Sequence, residues 1–429
     1  MSAPSPYRPT GYLLRTNEVA LKGQNRGKFE ELLIRNARKV LEQLSGPLPA
    51  ETRLSRSHGR VLAYGIAPEV AAVAFARVFG VSGVNPLRIV ETRTADIIEG
   101  ALAELHAYVA RAGVPATFRV ETRRSEKEIP ETSEQLNRAL GSAALALYPS
   151  LKVSLKDPAL TLGIEVRRGR SFIWTEQWSA PGGLPVGCNS PVLALLSGGL
   201  DSPVAAIRLL RRGCPVRFVH FSGEPFVGPE PLEKVEDLVR LVNRYQPAPQ
   251  PLYVIPFGKI QEEVALATNP KLRTLLYRRL MFRIAGRLAE ANGLRALATG
   301  ESVGQVASQT LDNLAVINRA SPMVVLRPLL GMDKEEIIRD ARRWGTYETS
   351  IRPGIDCCTL FADRHPALRA SELLIADQEK RIDIESVIQR ALASVEVRQA
   401  APKGTARSGS APKRTWSSPT SNPAPPPTS

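Results

Sequence analysis

One stretch limits the possible folds more than any other: Val192-Leu-Ala-Leu-Leu196 running into Ser197-Gly-Gly-Leu-Asp-Ser-Pro203. An apolar run this short reads as a buried strand. Gly198 and Gly199 permit a tight turn and let backbone amides approach a ligand closely. Ser202 is placed to cap the next helix, and Pro203 fits its first turn, where no amide donor is needed. That helix carries Val204, Ala205, Ile207, Leu209 and Leu210 inward and stops at Gly213. Strand, glycine turn and helix N-terminus together form an anion site, because unpaired amides and the helix dipole both favour phosphate. A nucleotide is the expected occupant.

The loop lacks the Gly-Lys-Ser/Thr ending of a Walker A motif and the spacing of the dinucleotide fingerprint. Ser-Gly-Gly-x-Asp-Ser resembles the PP-loop of ATP pyrophosphatases, which cleave ATP between the α- and β-phosphates and adenylate a substrate. Ordinary strand-to-helix turns use the same residue types, so the rest of the chain has to decide. Val216–Phe221, Leu252–Phe257, Ala296–Thr299 and Met323–Leu329 read as further strands. Helical patterns cover Leu232–Tyr245, Leu275–Ala291, Val303–Asn318 and Lys334–Trp344. This alternation predicts an α/β fold with a doubly wound, mostly parallel sheet. Ligands in such sheets bind at the carboxyl ends of strands, which puts His220-Phe221, Gly300-Glu301 and Ser197–Ser202 on one rim.

Upstream, residues 10–95 read as an α+β unit. Tyr12–Leu14 and Arg60–Tyr64 are strands, and Glu69–Phe79 is a helix. A longer helix, Asn25–Ser45, is expected to bury Phe29, Leu32, Leu33 and Ile34. The order suggests a ferredoxin-like layer. Residues 96–180 continue with the helix Ala95–Ala112, the strand Thr117–Arg124, the helix Ser133–Leu147 and the strands Leu160–Arg167 and Ser171–Gln177. Arg119, Arg123, Arg124, Lys127 and Arg138 crowd together there, as a phosphate-binding face or as a solvated, salt-bridged one. Pro181–Gly187 is rich in turn residues and marks a boundary. Domains are expected at 1–75, 76–180 and 181–395, the first of the two α+β units reaching past its domain bound to residue 95. From 396 the chain becomes Pro-, Ser-, Ala- and Thr-rich and is expected to be disordered.

Fifty-seven basic against 42 acidic residues give a net charge of +15, which suits a polyanionic partner, most simply nucleic acid. Aromatic residues, at 6%, are too few for a base-stacking single-strand binder, so recognition by shape and phosphate is expected. Four cysteines (Cys188, Cys214, Cys357, Cys358) do not make a disulfide framework. Without a Cys-x-x-Cys pair, and with scattered histidines, they argue against structural zinc. No run approaches a membrane-spanning length, and the first nine residues lack the apolar core of a signal peptide. A cytoplasmic protein is expected, with no membrane partner.

The landmarks Glu18–Phe29, Pro181–Gly187, Leu195–Val204, Thr299–Thr310, Arg327-Pro-Leu329, Asp333-Lys334 and Asp356-Cys-Cys-Thr359 occur together in one order. Through them, residues 10–365 resemble the PP-loop tRNA 4-thiouridine synthetases, also known as tRNA sulfurtransferases or thiamine-biosynthesis sulfur-transfer proteins. The resemblance implies a ferredoxin-like domain, a THUMP domain that binds RNA, and a PP-loop catalytic domain. It implies that ATP, with Mg2+, adenylates O4 of the uridine at position 8 of tRNA, and that a persulfide sulfur then displaces AMP at C4.

Carried over residue by residue, the resemblance gives Leu195, Leu196, Ser197, Gly198, Gly199 and Ser202 to the nucleotide pocket. His220 and Phe221 flank the adenine, and Arg278 (preferred over the adjacent Arg279), Gly300 and Gln309 supply the remaining contacts. Asp201 handles magnesium or pyrophosphate, and Lys334 stabilises charge at the α-phosphate. Cys358 carries the persulfide, while Cys357 either resolves it as a disulfide or is a passive neighbour. Cys188 and Cys214 read as small packed side chains. Lys22, Arg119, Arg123, Arg124 and Lys127 are the expected RNA contacts.

Two features depart from the family pattern. Thr16-Asn17 stands where Tyr-Gly is usual, and no cysteine follows Cys358, where some members add a rhodanese domain. Sulfur is then expected to reach Cys358 from a cysteine desulfurase or another persulfide donor, directly or through a separate protein. The thiamine-pathway sulfur carrier protein is a further acceptor the family implies, and a homodimer is an allowed assembly. Two other readings remain: a PP-loop enzyme adenylating another RNA base or a small molecule, and a non-catalytic THUMP RNA-binding protein. The joint presence of the loop, Lys334 and Cys358 speaks against the second of these.

Overall fold

The computed structural model describes residues 8–57, 60–354, 360–363 and 365–400, in two units that divide in sequence between Leu184 and Pro185. In the first unit the chain runs β1 (Gly11–Arg15), α1 (Arg26–Ser45), β2 (Arg53–Ser57), β3 (Arg60–Tyr64), α2 (Pro68–Phe75) and β4 (Gly83–Glu91). It continues through α3 (Thr94–Ala112), β5 (Thr117–Arg124), α4 (Ser133–Leu147), β6 (Lys152–Val153), β7 (Leu160–Val166), β8 (Arg170–Trp174) and β9 (Trp178–Ser179). All nine strands join one sheet, in the order β2-β3-β1-β4-β8-β7-β5-β6, with β9 also on β4.

The long strand β4 is what unites that sheet. Its first half pairs antiparallel with β1, from Arg15 opposite Gly83 to Gly11 opposite Leu87. Its second half pairs with β8, from Arg88 opposite Ile173 to Glu91 opposite Arg170. Pro86 falls between the stretches that meet β9 and β8, where a missing amide costs no ladder bond on that side. One apolar cluster, including Tyr12, Leu33, Leu41 and Phe75, lies under α1 and α2. A second, including Ile97, Leu136, Leu140 and Ile164, lies under α3 and α4.

Two sequence expectations need correction in this unit. On α1, Leu33, Ala37, Val40 and Leu41 are buried while Phe29, Leu32 and Ile34 are only half-buried. Glu30 takes an inward position instead, paired with Arg26 at 2.7 Å. The helix expected over Glu69–Phe79 ends at Phe75, although Val78 and Phe79 stay in the core.

The second unit contains β10 (Val192–Leu195), α5 (Asp201–Arg211), β11 (Val216–Ser222), α6 (Glu230–Asn243), β12 (Leu252–Pro256), α7 (Gly258–Ala267) and α8 (Arg273–Ala291). After these come β13 (Ala296–Ala298), α9 (Leu311–Asn318), β14 (Val324–Leu326), α10 (Lys334–Trp344), α11 (Tyr347–Ser350), α12 (Glu372–Glu379), α13 (Ile384–Ala393) and β15 (Glu396–Arg398). The sheet order is β14-β13-β10-β11-β12-β15, parallel throughout except at β15. The first strand after the unit begins, β10, therefore sits inside the sheet, and its loop opens at the carboxyl edge.

Here too the structure corrects the sequence. The chain keeps its fold past 396: β15 pairs antiparallel with β12, and buried Ala400 accepts a hydrogen bond from Asn243 Nδ2 at 2.9 Å. Three residues are too few to show a strand pattern, which hides β15 beside a Pro- and Ser-rich sequence. Residues 401–429 lie outside the described residues. The helix expected from Val303 begins only at Leu311, after a 3-10 turn over Ala307–Gln309. Gly304 adopts φ +75°, a left-handed conformation that a continuing helix does not accept.

Glu379 ties α12 to α8. It accepts hydrogen bonds from Arg279 Nε at 2.7 Å and Arg283 Nη1 at 2.6 Å. Burial alone would raise its carboxyl, but these arginines outweigh burial and hold it at about 2, below its ordinary 4.5. A depressed carboxylate stabilises the fold above its unfolded pKa and loses that contribution as pH falls toward the folded one. Glu379→Gln should therefore cost about 3 kcal/mol at pH 7. In urea unfolding, its deficit against wild type should shrink as pH drops from about 4.5 toward 2. A deficit equal at pH 7 and pH 3 would contradict this account.

Candidate active site

The glycine loop starts where β10 stops. Leu196 N donates to Val219 O at 2.8 Å, holding the chain against β11 until Ser197. Ser202 does not cap α5, as the sequence suggested, because the helix already begins at Asp201. Its hydroxyl instead accepts from Ser197 N at 2.9 Å and faces Ser197 O at 3.2 Å, closing the loop on itself. Leu200, the N-cap, supplies no side-chain bond to the first amides of α5. Those amides suit an anion.

The glycines serve clearance more than turn geometry, since neither Gly198 nor Gly199 has a positive φ. A Cβ on Gly198 would lie 3.3 Å from Lys234 Cδ, and Gly199 lines the cavity described below. Gly300 has a stronger constraint: a Cβ there would lie 2.6 Å from Ser202 N and 2.7 Å from Asp201 C. The end of β13 and the start of α5 thus touch backbone to backbone, and only glycine permits it.

Around this junction opens a cavity of about 430 Å³. Leu195, Leu196, Ser197, Gly199, Asp201, Ser202, His220, Phe221, Arg278, Gly300 and Gln309 all line it. Of the expected nucleotide residues, Gly198 alone stands outside the lining. The chemistry is divided by wall. Leu195, Val219, Phe221, Met281 and Phe282 give an apolar side, on which Phe221 meets Phe257 edge to face at 5.2 Å. His220 is buried, and its Nδ1 lies 2.9 Å from Leu196 O; donation to that carbonyl fixes the proton on Nδ1. Arg278 lines the cavity, whereas Arg279 turns away to Glu379.

Asp201 has two partners: Oδ1 lies 2.8 Å from Lys334 Nζ, and Oδ2 accepts from Gln305 Nε2 at 2.9 Å. Lys334 is the first residue of α10, whose start is fixed by a capping box between Asp333 and Glu336. Gln305, Lys234 and Arg327 had no role in the sequence reading. Gln305 lies inside the Thr299–Thr310 landmark, so a signal existed for it. Lys234 sits in the middle of α6, where nothing in the sequence marks it. Its buried side chain nevertheless reaches Gly198 and donates to Arg352 O at 2.6 Å.

Cys357 and Cys358 lie outside the described residues. The chain approaches that segment past Arg352 and Gly354, near Lys234, and after it Ala362 and Asp363 line the cavity. Cys188 and Cys214 are partly buried, and burial pushes the Cys214 thiol up.

In the first unit the expected RNA contacts are partly neutralised. Arg119 and Arg123, on one face of β5, share Glu121 at 3.2 and 2.7 Å. Arg124 Nη2 donates to Ile129 O at 2.7 Å, and Arg138 pairs with Glu134. Lys127 is exposed, and Lys22 Nζ stands 5.5 Å over the Phe29 ring. Among the described residues no helix is long and apolar enough to cross a membrane, and no group of three or more His, Cys, Asp or Glu could hold a metal.

Comparison with known proteins adds to this geometry. Residues 187–384 match the family described as Thiamine biosynthesis protein (ThiI), residues 12–85 the ThiI ferredoxin-like domain, and residues 91–176 the THUMP domain. A probable tRNA sulfurtransferase of Nocardia farcinica is 39% identical over 390 residues, covering 90% of this chain and 93% of the relative. One from Thermus thermophilus is 39% identical over 381 residues, covering 89% and 91%. A crystal structure of a 4-thiouridine synthetase–RNA complex with bound ATP aligns with a TM-score of 0.83 at 34% identity. That alignment covers 91% of this chain and 99% of the other.

Proposed function

The chain belongs to the ThiI family of tRNA sulfurtransferases, and from that premise we propose how its cavity serves ATP-dependent formation of 4-thiouridine in tRNA. One observation carries the reading: a single cavity gathers the PP-loop, His220-Phe221, Arg278, Gly300 and Gln309. The adenine lies on the apolar wall, beside Leu195, Leu196 and Phe221. The phosphates lie on the amides of Ser197–Gly199 and the start of α5, with Arg278 beside them.

The chemistry proceeds in two steps. O4 of the uridine at position 8 attacks the α-phosphorus, and pyrophosphate leaves. Lys334, next to Asp201, stabilises the negative charge that develops there. Asp201 is the residue that would hold a magnesium ion through its hard carboxylate oxygen, and such an ion would supply positive charge against the departing pyrophosphate. The carbonyl oxygen, a poor leaving group, has now become part of AMP. The terminal sulfur of a persulfide on Cys358 then attacks C4, and AMP departs with the C–O bond electrons. A thiolate, that of Cys357 or of an external thiol, attacks Cys358 Sγ, and the S–S bond breaks with its electrons on the sulfur bound to C4. The disulfide left on Cys358 is reduced by a further thiol before the next turnover.

A cysteine desulfurase or another persulfide donor loads Cys358. Lys22, Arg119, Arg123, Arg124 and Lys127 contact the tRNA backbone, and the reaction takes place in the cytoplasm. The thiamine-pathway sulfur carrier protein is a second acceptor, in keeping with the family's description. Nucleoside analysis of tRNA from a strain lacking this protein tests the reading. We expect 4-thiouridine to be absent; its persistence would overturn the assignment.

A further inference from the structure

Glu301 places a carboxylate in the wall of a cavity that the proposed function fills with a polyphosphate. An unpaired carboxylate there would repel the phosphates and would be costly to bury. Only 4% of Glu301 is exposed, and both its oxygens are engaged. Oε1 accepts from Arg278 Nη1 at 2.5 Å. Oε2 accepts from Arg327 Nε at 2.7 Å and from Thr299 Oγ1 at 2.8 Å. Two guanidiniums against one carboxylate leave the cluster cationic, so the field toward a phosphate stays attractive.

The two arginines differ in what they face. Arg278, on α8, lines the cavity; Arg327, after β14, does not. Arg327 is anchored on other groups: Nη1 donates to Asn318 Oδ1 at 3.0 Å, and its guanidinium lies 6.0 Å from the Phe282 ring centre. Glu301 thus links one arginine that can meet a ligand to another that is fixed in the protein. Thr299, two residues earlier, holds the carboxylate itself. We propose that Glu301 is a positioning residue of the nucleotide site, orienting the Arg278 guanidinium toward the phosphates of ATP. This rests on the reading that Arg278 contacts those phosphates.

The test is a double-mutant cycle on ATP affinity in the full chain, using wild type, Glu301→Gln, Arg278→Ala and the double variant. Each single substitution should raise the Kd for ATP about 10- to 100-fold. The double variant should bind no worse than Arg278→Ala alone, within about threefold, because Glu301 has nothing left to orient. Losses that multiply in the double variant overturn the proposal, since a merely structural role would persist without Arg278. An unchanged Kd in Glu301→Gln, with a loss in Arg278→Ala, also overturns it while sparing the nucleotide site. An unchanged Kd in Arg278→Ala instead overturns the underlying reading of that site.

A direct contact between Glu301 and the ribose makes a different forecast. Wild type would then lose affinity for 2′- or 3′-deoxy-ATP while Glu301→Gln would not, and that pattern would sink the positioning role. If Glu301→Gln fails to fold, Glu301→Asp takes its place in the cycle. It keeps the charge but withdraws it by one methylene, and the same non-additivity is expected.

Discussion

A Cys358→Ala enzyme is expected to release pyrophosphate from ATP in the presence of tRNA while forming no detectable 4-thiouridine. The two half-reactions draw on different parts of the chain. Adenylation draws on the loop at Ser197–Ser202 and on Arg278, which line one cavity, and on Lys334 beside Asp201. Sulfur transfer needs a thiolate that can carry a sulfane sulfur, and alanine removes it outright. Pyrophosphate release and nucleoside analysis of the same reaction mixture separate the two. If Cys358→Ala lost pyrophosphate release as completely as it lost 4-thiouridine, the division of labour would be wrong. The adenylated tRNA should also accumulate, as AMP bound to RNA, until it hydrolyses.

Asp201→Asn should remove both half-reactions together, by about 10²- to 10³-fold in pyrophosphate release, the usual loss when one preorganised electrostatic group is taken away. The carboxylate sits at the start of α5 with Lys334 and Gln305 on its two oxygens. Asparagine keeps the shape and loses the charge that would hold magnesium and orient Lys334. Lys334→Met should show the same joint loss. Its helix should survive, because the cap of α10 comes from Asp333 and Glu336 and not from the lysine. Near-normal pyrophosphate release in Asp201→Asn would remove this residue from the activation step. Together the variants give a pattern that a general folding defect does not imitate: one loses sulfur transfer only, the others both steps.

The parallel sheet was legible in the sequence because its central strands are short apolar runs, and buried parallel strands need nothing else. The half of the first unit built on β2 and β4 was not. β2 is Arg-Leu-Ser-Arg-Ser, polar on nearly every residue, and β4 carries Asn85 and Pro86 in mid-strand. Only the neighbours supply their reason for being strands: Asn85 is fully buried, with its side-chain oxygen on Arg15 Nε and its amide on Glu176 O. Ser202 looked like a cap because it has the right residue type beside the right proline. Its actual partner, Ser197, is chosen by the loop's curvature.

The candidate site shows the same limit. Residues named by a motif could be listed in order along the chain, but their pairing could not. Gln305 reaches Asp201 across 104 positions and Lys334 reaches it across 133. Such contacts follow from the strand order, in which β13 lies directly beside β10. Spacing along the chain says nothing about them.

The strand that joins the two halves of the first unit also limits how that unit can be taken apart. The ferredoxin-like and THUMP matches end and begin at residues 85 and 91, within β4. A fragment stopping at 85 would keep β1 with only the opening residues of its partner. A fragment starting at 91 would leave β8 facing solvent along its length. Each piece would expose a raw sheet edge, the kind of surface on which strands of other molecules add and precipitate. The two names describe segments of common ancestry, but a protein chemist who wants soluble material should cut after the sheet is complete, beyond Ser179.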